Sequence, residues 1–278
     1  MDSAEVIQQA NEIRKDILRM ITEAGSGHPG GSLSSADILA ALYFGGVLNY
    51  DPKNPEDPGR DYFILAKGHA APALYATLAH AGYYAKEELA TLRKLGSKFQ
   101  GHPDSNLVDG VEVSTGSLGQ GLSIACGIAS GLRLNKAQNH VFTVLGDGEC
   151  EEGQVWEAAN YAAHQGLGNL IAIVDVNGLQ IDGACCNVCD AGDLSAKFKA
   201  FGWSVSQVDG HDISHMVETF NRLKADNGNI PHVVLAKTVK GKGISFMENQ
   251  VGWHGKAPTK EQLFSALEEL AEKGAHNA

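Results

Sequence analysis

Two apolar runs set the architecture. Val141-Phe142-Thr143-Val144-Leu145 ends at Gly146-Asp147-Gly148, and Leu170-Ile171-Ala172-Ile173-Val174-Asp175-Val176 ends at Asn177, 30 positions after Asp147. Both are short, rich in β-branched residues and bounded by Gly or Asn, which is the pattern of buried strands. Residues 152–164 between them carry helical spacing, so the unit reads strand, helix, strand. A crossover of that kind forces the strands parallel and opens their carboxyl ends on one edge of the sheet. Asp147 and Asn177 therefore emerge side by side. A carboxylate and an amide oxygen are hard donors of the kind Mg²⁺ or Ca²⁺ takes from a protein when phosphates complete its shell. Glycines at 146 and 148 let the backbone come close to such phosphates. Gly-Asp-Gly by itself fits an ordinary strand-to-helix turn equally well. The asparagine that closes the next strand makes the pair a candidate metal and phosphate site.

The 278 residues suffice for one large domain or two small ones with a substantial core. A net charge of −11 argues against nucleic acid or an anionic membrane surface as the main partner. An anionic ligand would need local help from a metal ion, backbone N–H groups or histidine. No apolar run reaches membrane-spanning length, and Met1-Asp2-Ser3-Ala4-Glu5 lacks the basic start of a signal peptide, so the cytoplasm is expected. Five cysteines, an odd number, fit reduced thiols there. Cys185, Cys186 and Cys189 lack the second pair that a zinc knuckle wants, so they read as ordinary thiols.

Taken in order, Asp2 and Glu5 look like a helix start, with an apolar face from Ile7 to Ile21. Ser26-Gly27-His28-Pro29-Gly30-Gly31-Ser32 reads as a loop, because proline and glycines break helices, and it feeds a helix over 35–44. A strand is predicted over 62–66, ending in Lys67-Gly68-His69-Ala70, with helices near 72–81 and 86–95. Gly101-His102-Pro103 opens a long irregular segment that finishes in Ser114-Thr115-Gly116-Ser117-Leu118-Gly119-Gln120-Gly121 and enters a helix over 122–134. Such a run inside a compact domain is more often functional than filler. After the central unit come a helix at 193–201, a strand at 204–208, a helix at 213–224 capped by Asp212, and a strand at 232–239. A glycine-rich loop with Gly252-Trp253-His254-Gly255 follows, and Thr259 with Gln262 caps a closing helix. This alternation predicts a doubly wound α/β fold, a parallel sheet flanked by helices, with ligands at the strand carboxyl ends.

Four histidines, His28, His69, His102 and His254, sit beside Gly or Pro in predicted loops, while the other histidines fall mostly in helices or at helix ends. One such histidine is usually a solvated side chain. Four in the same setting suggest a site, since imidazole donates to phosphate or hydroxyl oxygens and moves protons near neutral pH. Other phosphate and nucleophile motifs are missing: there is no G-x-x-x-x-G-K-[ST] and no G-x-S-x-G, and Gly146-x-Gly148 runs into Glu151 where a dinucleotide fingerprint needs glycine.

Ser26-Gly27-His28-Pro29-Gly30, Lys67-Gly68-His69-Ala70, Gly101-His102-Pro103, the 114–121 segment and Gly146-Asp147-Gly148 with Asn177 resemble, in order and over nearly the whole chain, the thiamine-diphosphate half of transketolase. The Gly-Asp-Gly and Asn spacing belongs to thiamine-diphosphate enzymes generally, and the histidines narrow the resemblance to transketolases and close relatives. The resemblance implies that residues 1–278 form a single diphosphate-side domain. It assigns Mg²⁺, or Ca²⁺ or Mn²⁺ in its place, to Asp147, Asn177 and the Leu179 carbonyl. It assigns thiamine diphosphate to His69, Gly148 and His254 at the diphosphate, Gly116 and Leu118 against the aminopyrimidine and Ile181 against the thiazolium, with Ser117 and Glu149 also cofactor-binding. His28, His102 and His254 would face the sugar's hydroxyls and carbonyl, where protons move. Glu152 matches a glutamate in a carboxylate network between the two sites of a dimer.

Gly116-Ser117-Leu118 replaces the Gly-Pro-Leu usual in full-length members, a mild change. The larger departure is length. Full-length transketolases continue through a pyrimidine-side domain, which supplies the glutamate that activates the cofactor, and a third domain. The chain therefore resembles the N-terminal section of a split transketolase. The implied reaction moves a two-carbon ketol unit from a ketose phosphate to an aldose, with a C-terminal transketolase chain as partner and an α2β2 assembly. Pentose phosphate, apulose phosphate and sulfosugar substrates all stay open. Rival readings are another thiamine enzyme, either the α chain of a 2-oxo acid dehydrogenase or deoxyxylulose phosphate synthase, and a non-catalytic binding protein that keeps the fold.

Overall fold

The structure, a computed structural model, describes residues 1–276, with side chains through residue 272. Helices α1 (Ser3–Ala24) and α2 (Pro29–Phe44) precede strand β1 (Tyr62–Leu65) and helix α3 (Ala71–Ala81). Then follow α4 (Gln120–Leu134), β2 (Val141–Gly146), α5 (Gly153–Gln165) and β3 (Leu170–Val176). A small ribbon of β4 (Leu179–Gln180) and β5 (Gly183–Ala184) leads through the single turn α6 (Cys185–Val188) to α7 (Leu194–Ala200). The chain continues with β6 (Ser204–Asp209), α8 (Ile213–Lys224), β7 (His232–Lys237) and α9 (Lys260–His276). The closing helix predicted after Thr259 runs as far as His276, and residues 277–278 lie outside the described residues.

The main sheet has the order β1-β2-β3-β7-β6, with every pairing parallel, as the strand, helix, strand unit requires. Side chains alternate between its faces. Phe63, Phe142, Val144, Ile171, Ile173 and Val234 pack with α1, α2, α3 and α8 on one side. Ile64, Val141, Leu145, Leu170, Ala172 and Val233 pack with α4, α5 and α7 on the other. Sheets covered on both faces read as continuous apolar strands, and the inner strands β2, β3 and β7 largely do, while the edge strand β6 carries Ser204, Ser206 and Gln207.

The helix caps are those the sequence spells out. Asp2 accepts from the Glu5 N–H at 2.9 Å while Glu5 reaches back to the Asp2 N–H at 2.8 Å. Thr259 and Gln262 form the same reciprocal pair at 2.9 and 3.2 Å. The 86–95 helix is corrected to a short 3₁₀ segment, Lys86–Thr91, after which Arg93 takes a left-handed conformation (φ 58°) that an α-helix cannot contain.

The start of α2 is a second correction. Pro29 and both glycines lie inside the helix, which is buried along its whole length. Proline fits the first helical position, where its missing N–H has no partner to lose. The glycines are there for access. A side chain on Gly30 would begin 2.9 Å from the Trp253 carbonyl oxygen, and one on Gly31 would begin 3.2 Å from His69 Nε2.

Candidate active site

The carboxyl ends of β1, β2 and β3 carry the predicted motifs. Asp147 follows β2 directly and is buried. Its Oδ1 accepts from the Gly148 N–H at 2.9 Å and its Oδ2 from the Gly178 N–H at 2.5 Å. The second bond ties the end of β2 to the residue after Asn177, bringing the two predicted ligand positions together. Asn177 Oδ1 accepts from the Leu179 N–H at 3.1 Å. The Leu179 carbonyl accepts from the Lys240 ammonium at 2.9 Å, and that ammonium also lies 2.9 Å from His254 Nδ1. Burial raises the Asp147 carboxyl, and the neighbouring Asp175 charge adds to it. A second positive charge would relieve that cost. Carboxylate, amide and carbonyl oxygens are hard donors, one of which already draws a cation, so the residues present suit a hard divalent ion.

All four predicted histidines converge. His28 is central, with ring centroids 5.4 Å from His69, 6.3 Å from His102 and 5.5 Å from His254, and His69 stacks on His254 at 5.2 Å. His28 occupies the N-cap position of α2. Burial, then the charges of Arg93, His102 and Lys240, pushes its imidazole down to about 4. Burial and Lys240 take His254 down to about 4 as well. His69 is lowered by burial and Lys67, and His102 by burial and Arg93. Near neutral pH these rings are uncharged, each with one donor and one acceptor nitrogen. Burial also lowers Lys240 to about 8, with Lys67 adding to the effect.

Two glycines set the loop spacing. Gly68 faces the 114–118 segment so closely that a side chain there would begin 2.7 Å from the Gly116 nitrogen. Gly116 itself (φ 143°) lies against His102, whose ring carbons would be 3.0 Å from an added Cβ. Thr115 anchors the segment by donating to the Leu65 carbonyl at 2.7 Å. Ser117, Leu118 and Ile181 are exposed, and Ile181 tips the β4–β5 ribbon. The exposed apolar side chains of Leu118 and Ile181 offer a surface for a flat ring. A side chain on Gly148 would begin 3.1 Å from Gln180 Cβ.

The two glutamates differ. Glu149 is buried, and its carboxylate accepts from the Gly119 and Gly146 N–H groups, each at 3.0 Å. It thus braces two loops, which leaves its backbone for any ligand contact, and burial raises its carboxyl to about 7. Glu152 is exposed at the N-terminus of α5, beside Gly119.

Sequence reasoning missed Lys67, Asp175, Lys240 and Arg93. Asp175 lies in the otherwise apolar β3, and its Oδ2 receives the Lys67 ammonium and, at 2.7 Å, the Ser34 hydroxyl. Thr238 donates to Oδ1, and Lys67 also donates to the Gly31 carbonyl at 3.0 Å. The signal was available, since a carboxylate inside an apolar strand needs a buried partner. His211, also in a loop beside glycine, does not join the cluster. Its Nε2 accepts from the Val239 N–H at 2.9 Å and its Nδ1 donates to Asp37 at 2.7 Å, where Arg14 binds the same carboxylate.

Comparison with known proteins matches residues 6–273 to the family described as "Transketolase, thiamine diphosphate binding domain". The 6-deoxy-6-sulfo-D-fructose transketolase subunit of Clostridium sp. is 43% identical over 267 residues, 96% of either chain. One of the subunits of apulose-4-phosphate transketolase from Phocaeicola vulgatus is 38% identical over 95% of this chain and 93% of that protein. Homo sapiens transketolase is 40% identical over 94% of this chain but 41% of its own length. The crystal structure of Campylobacter jejuni transketolase superposes with a TM-score of 0.91 at 32% identity, covering 98% of this chain and 43% of that one. The chain thus spans about two fifths of full-length transketolases and nearly all of the subunit relatives. It belongs to the transketolase family, as the thiamine-diphosphate-binding section of a transferase of that family.

Proposed function

We propose that this chain is the diphosphate- and metal-binding subunit of a two-chain transketolase that moves a two-carbon ketol unit from a ketose phosphate to an aldose. The carrying observation is the gathering of four uncharged imidazoles beside the Asp147 turn and Asn177. Near-complete mutual coverage with subunit relatives supports the two-chain reading.

Asp147, Asn177 and the Leu179 carbonyl would hold the divalent ion, with Mg²⁺ the first choice, and His69 and the Gly148 backbone would receive the diphosphate. Gly116, Ser117 and Leu118 would lie along the aminopyrimidine and Ile181 along the thiazolium. Bound thiamine diphosphate supplies an electron sink for breaking a bond next to a carbonyl. The chain's own part is to orient the sugar and handle its protons. His28, His102 and His254 would each donate to one sugar oxygen and accept from another. Buried rings that resist protonation keep both capacities open at neutral pH. Glu152, exposed on this chain, is free to join carboxylates of another protomer.

The acid that faces the aminopyrimidine would come from a C-terminal transketolase subunit, in an α2β2 assembly. Such an interface should be large and partly apolar, because it replaces domain packing within one chain. No helix among the described residues is long and apolar enough to cross a membrane, and the five free cysteines suit a cytoplasmic home. The test is reconstitution. The purified chain should bind cofactor weakly and transfer no ketol unit, and adding the partner should restore transfer. Full activity from the chain without a second polypeptide would overturn the reading.

A further inference from the structure

We infer that Arg93 is a positioning residue of this site: its guanidinium bonds to the loop before His28, packs against the loop before His102 and keeps a permanent positive charge beside both rings. The inference rests on the transketolase reading for its kinetic consequence and on geometry for the rest.

Arg93 has the left-handed backbone (φ 58°) that non-glycine residues avoid at a cost of about 1 kcal/mol or more. Its N–H donates to the Phe99 carbonyl at 2.8 Å, which locks the turn. The conformation sends the side chain back over the site. Nη1 donates to the Ser26 hydroxyl at 3.2 Å, two residues before His28. The guanidinium lies so close to Gly101 that a side chain there would begin 2.7 Å from the Arg93 Cζ. Glycine next to His102 therefore makes room for the arginine. The Arg93 Nε is buried with no hydrogen-bond partner. Arg14, Arg19 and Arg60 each hold a carboxylate, whereas Arg93 holds none among the described residues. A half-buried guanidinium left without a counterion is expensive to keep, so its retention asks for a role.

The charge pattern supplies one. Groups facing His28 are the rings of His69, His102 and His254, the Lys240 ammonium and Arg93. His102 faces His28 and Arg93. The Tyr75 hydroxyl donates to the His102 carbonyl, and Asp104 nearby is turned toward Asn106 and Ser114. Among the described residues no carboxylate bonds to either ring, so a fixed cation opposes protonation unbalanced. Arg93 is suited to this, because guanidinium stays charged at any working pH.

The test uses Arg93→Lys and Arg93→Met in the two-chain enzyme and in this chain alone. Histidine C2–H resonances of the isolated chain report protonation without turnover. In Arg93→Met the titrations of His28 and His102 should move up by roughly half a unit to one unit, the size of one nearby charge in partly wet surroundings. Arg93→Lys should keep those titrations near wild type, because the charge remains, yet lose turnover, because lysine cannot bridge two loops. In the assembled enzyme the acid limb of kcat/KM should follow the imidazoles upward in Arg93→Met, with thiamine diphosphate affinity unchanged. Titrations that coincide in all three proteins, or move equally in both variants, overturn the role. If the wild-type pair transfers no ketol unit the transketolase reading fails, while the resonance titration still decides on Arg93.

Discussion

Lys67 and Asp175 form an ion pair with almost no solvent contact, their side chains 1% and 0% exposed, directly behind the predicted site. Lys67 stands two residues before His69 and Asp175 two before Asn177, so the pair joins the ends of β1 and β3 beneath the histidines. Burial opposes the Asp175 charge, but Lys67 and the hydroxyls of Thr238 and Ser34 outweigh it and lower its carboxyl.

Lys67→Met should be strongly destabilising, because it leaves a buried carboxylate without its cation, a change that typically costs about 3–5 kcal/mol. Adding Asp175→Asn should recover much of the loss, since one of the Ser34 and Thr238 hydroxyls still donates to the amide oxygen and the other can accept from its NH2. Urea unfolding of the wild type, single and double variants measures both effects. An unchanged midpoint in Lys67→Met would refute the pairing.

Asp147→Ala should abolish metal-dependent binding of thiamine diphosphate by the two-chain assembly. The acidic chain would then present the diphosphate with no strong ligand for its counterion. Calorimetric titration with and without EDTA reads this directly. Tight binding in the variant, indifferent to EDTA, would remove Asp147 from the metal site.

His28→Ala and His102→Ala should each reduce ketol transfer by about 10² to 10⁴, the usual loss for one positioned proton-transfer group. Cofactor affinity should stay close to wild type. A parallel collapse of affinity would instead place these rings on the diphosphate.

Stability should rise from pH 4 to about 6.5 and then level off. His28 and His254 are held down to about 4, and burial lowers His69, His102, His140 and His232 in the same direction. Between about 4 and the ordinary 6.5 the unfolded chain binds more protons than the folded one, so stability falls as pH falls through that window. Glu149, raised to about 7, acts oppositely: between 4.5 and 7 the folded chain keeps a proton that the unfolded chain has lost. The histidines outnumber it. Thermal melts of the isolated chain across this range check the slope, and a Tm that climbs on acidification would contradict the assigned ring environments.

The parts legible in the sequence were those governed by local rules. The parallel sheet followed from period and crossover, the caps at Asp2 and Thr259 from spacing, and the histidine cluster from repeated local setting. The parts that escaped depend on contacts between distant residues. Pro29, Gly30 and Gly31 look like helix breakers until Trp253, Lys240 and His69 are seen against them. His211 shares the setting of the clustered histidines, yet it is claimed by Asp37, 174 positions away. Arg93 gives no signal in a sequence, since its left-handed turn arises from a bond to Phe99 and its purpose from loops at 26 and 101.

Helix α2, buried along its whole length, should be among the last elements to assemble. A helix with no water-facing side gains little until its neighbours have arrived, because helical stability in proteins comes mostly from tertiary packing. Its cavity is closed only when α1, α3, α8 and the sheet have all docked. His28 sits at the amino end of that helix and so reaches its place among the other rings in the same final step. Gathering of the histidine cluster and completion of this chain's folding should then be a single event. Within the two-chain assembly, a chain with its outer helices loosened should lose ketol transfer before it loses most of its secondary structure.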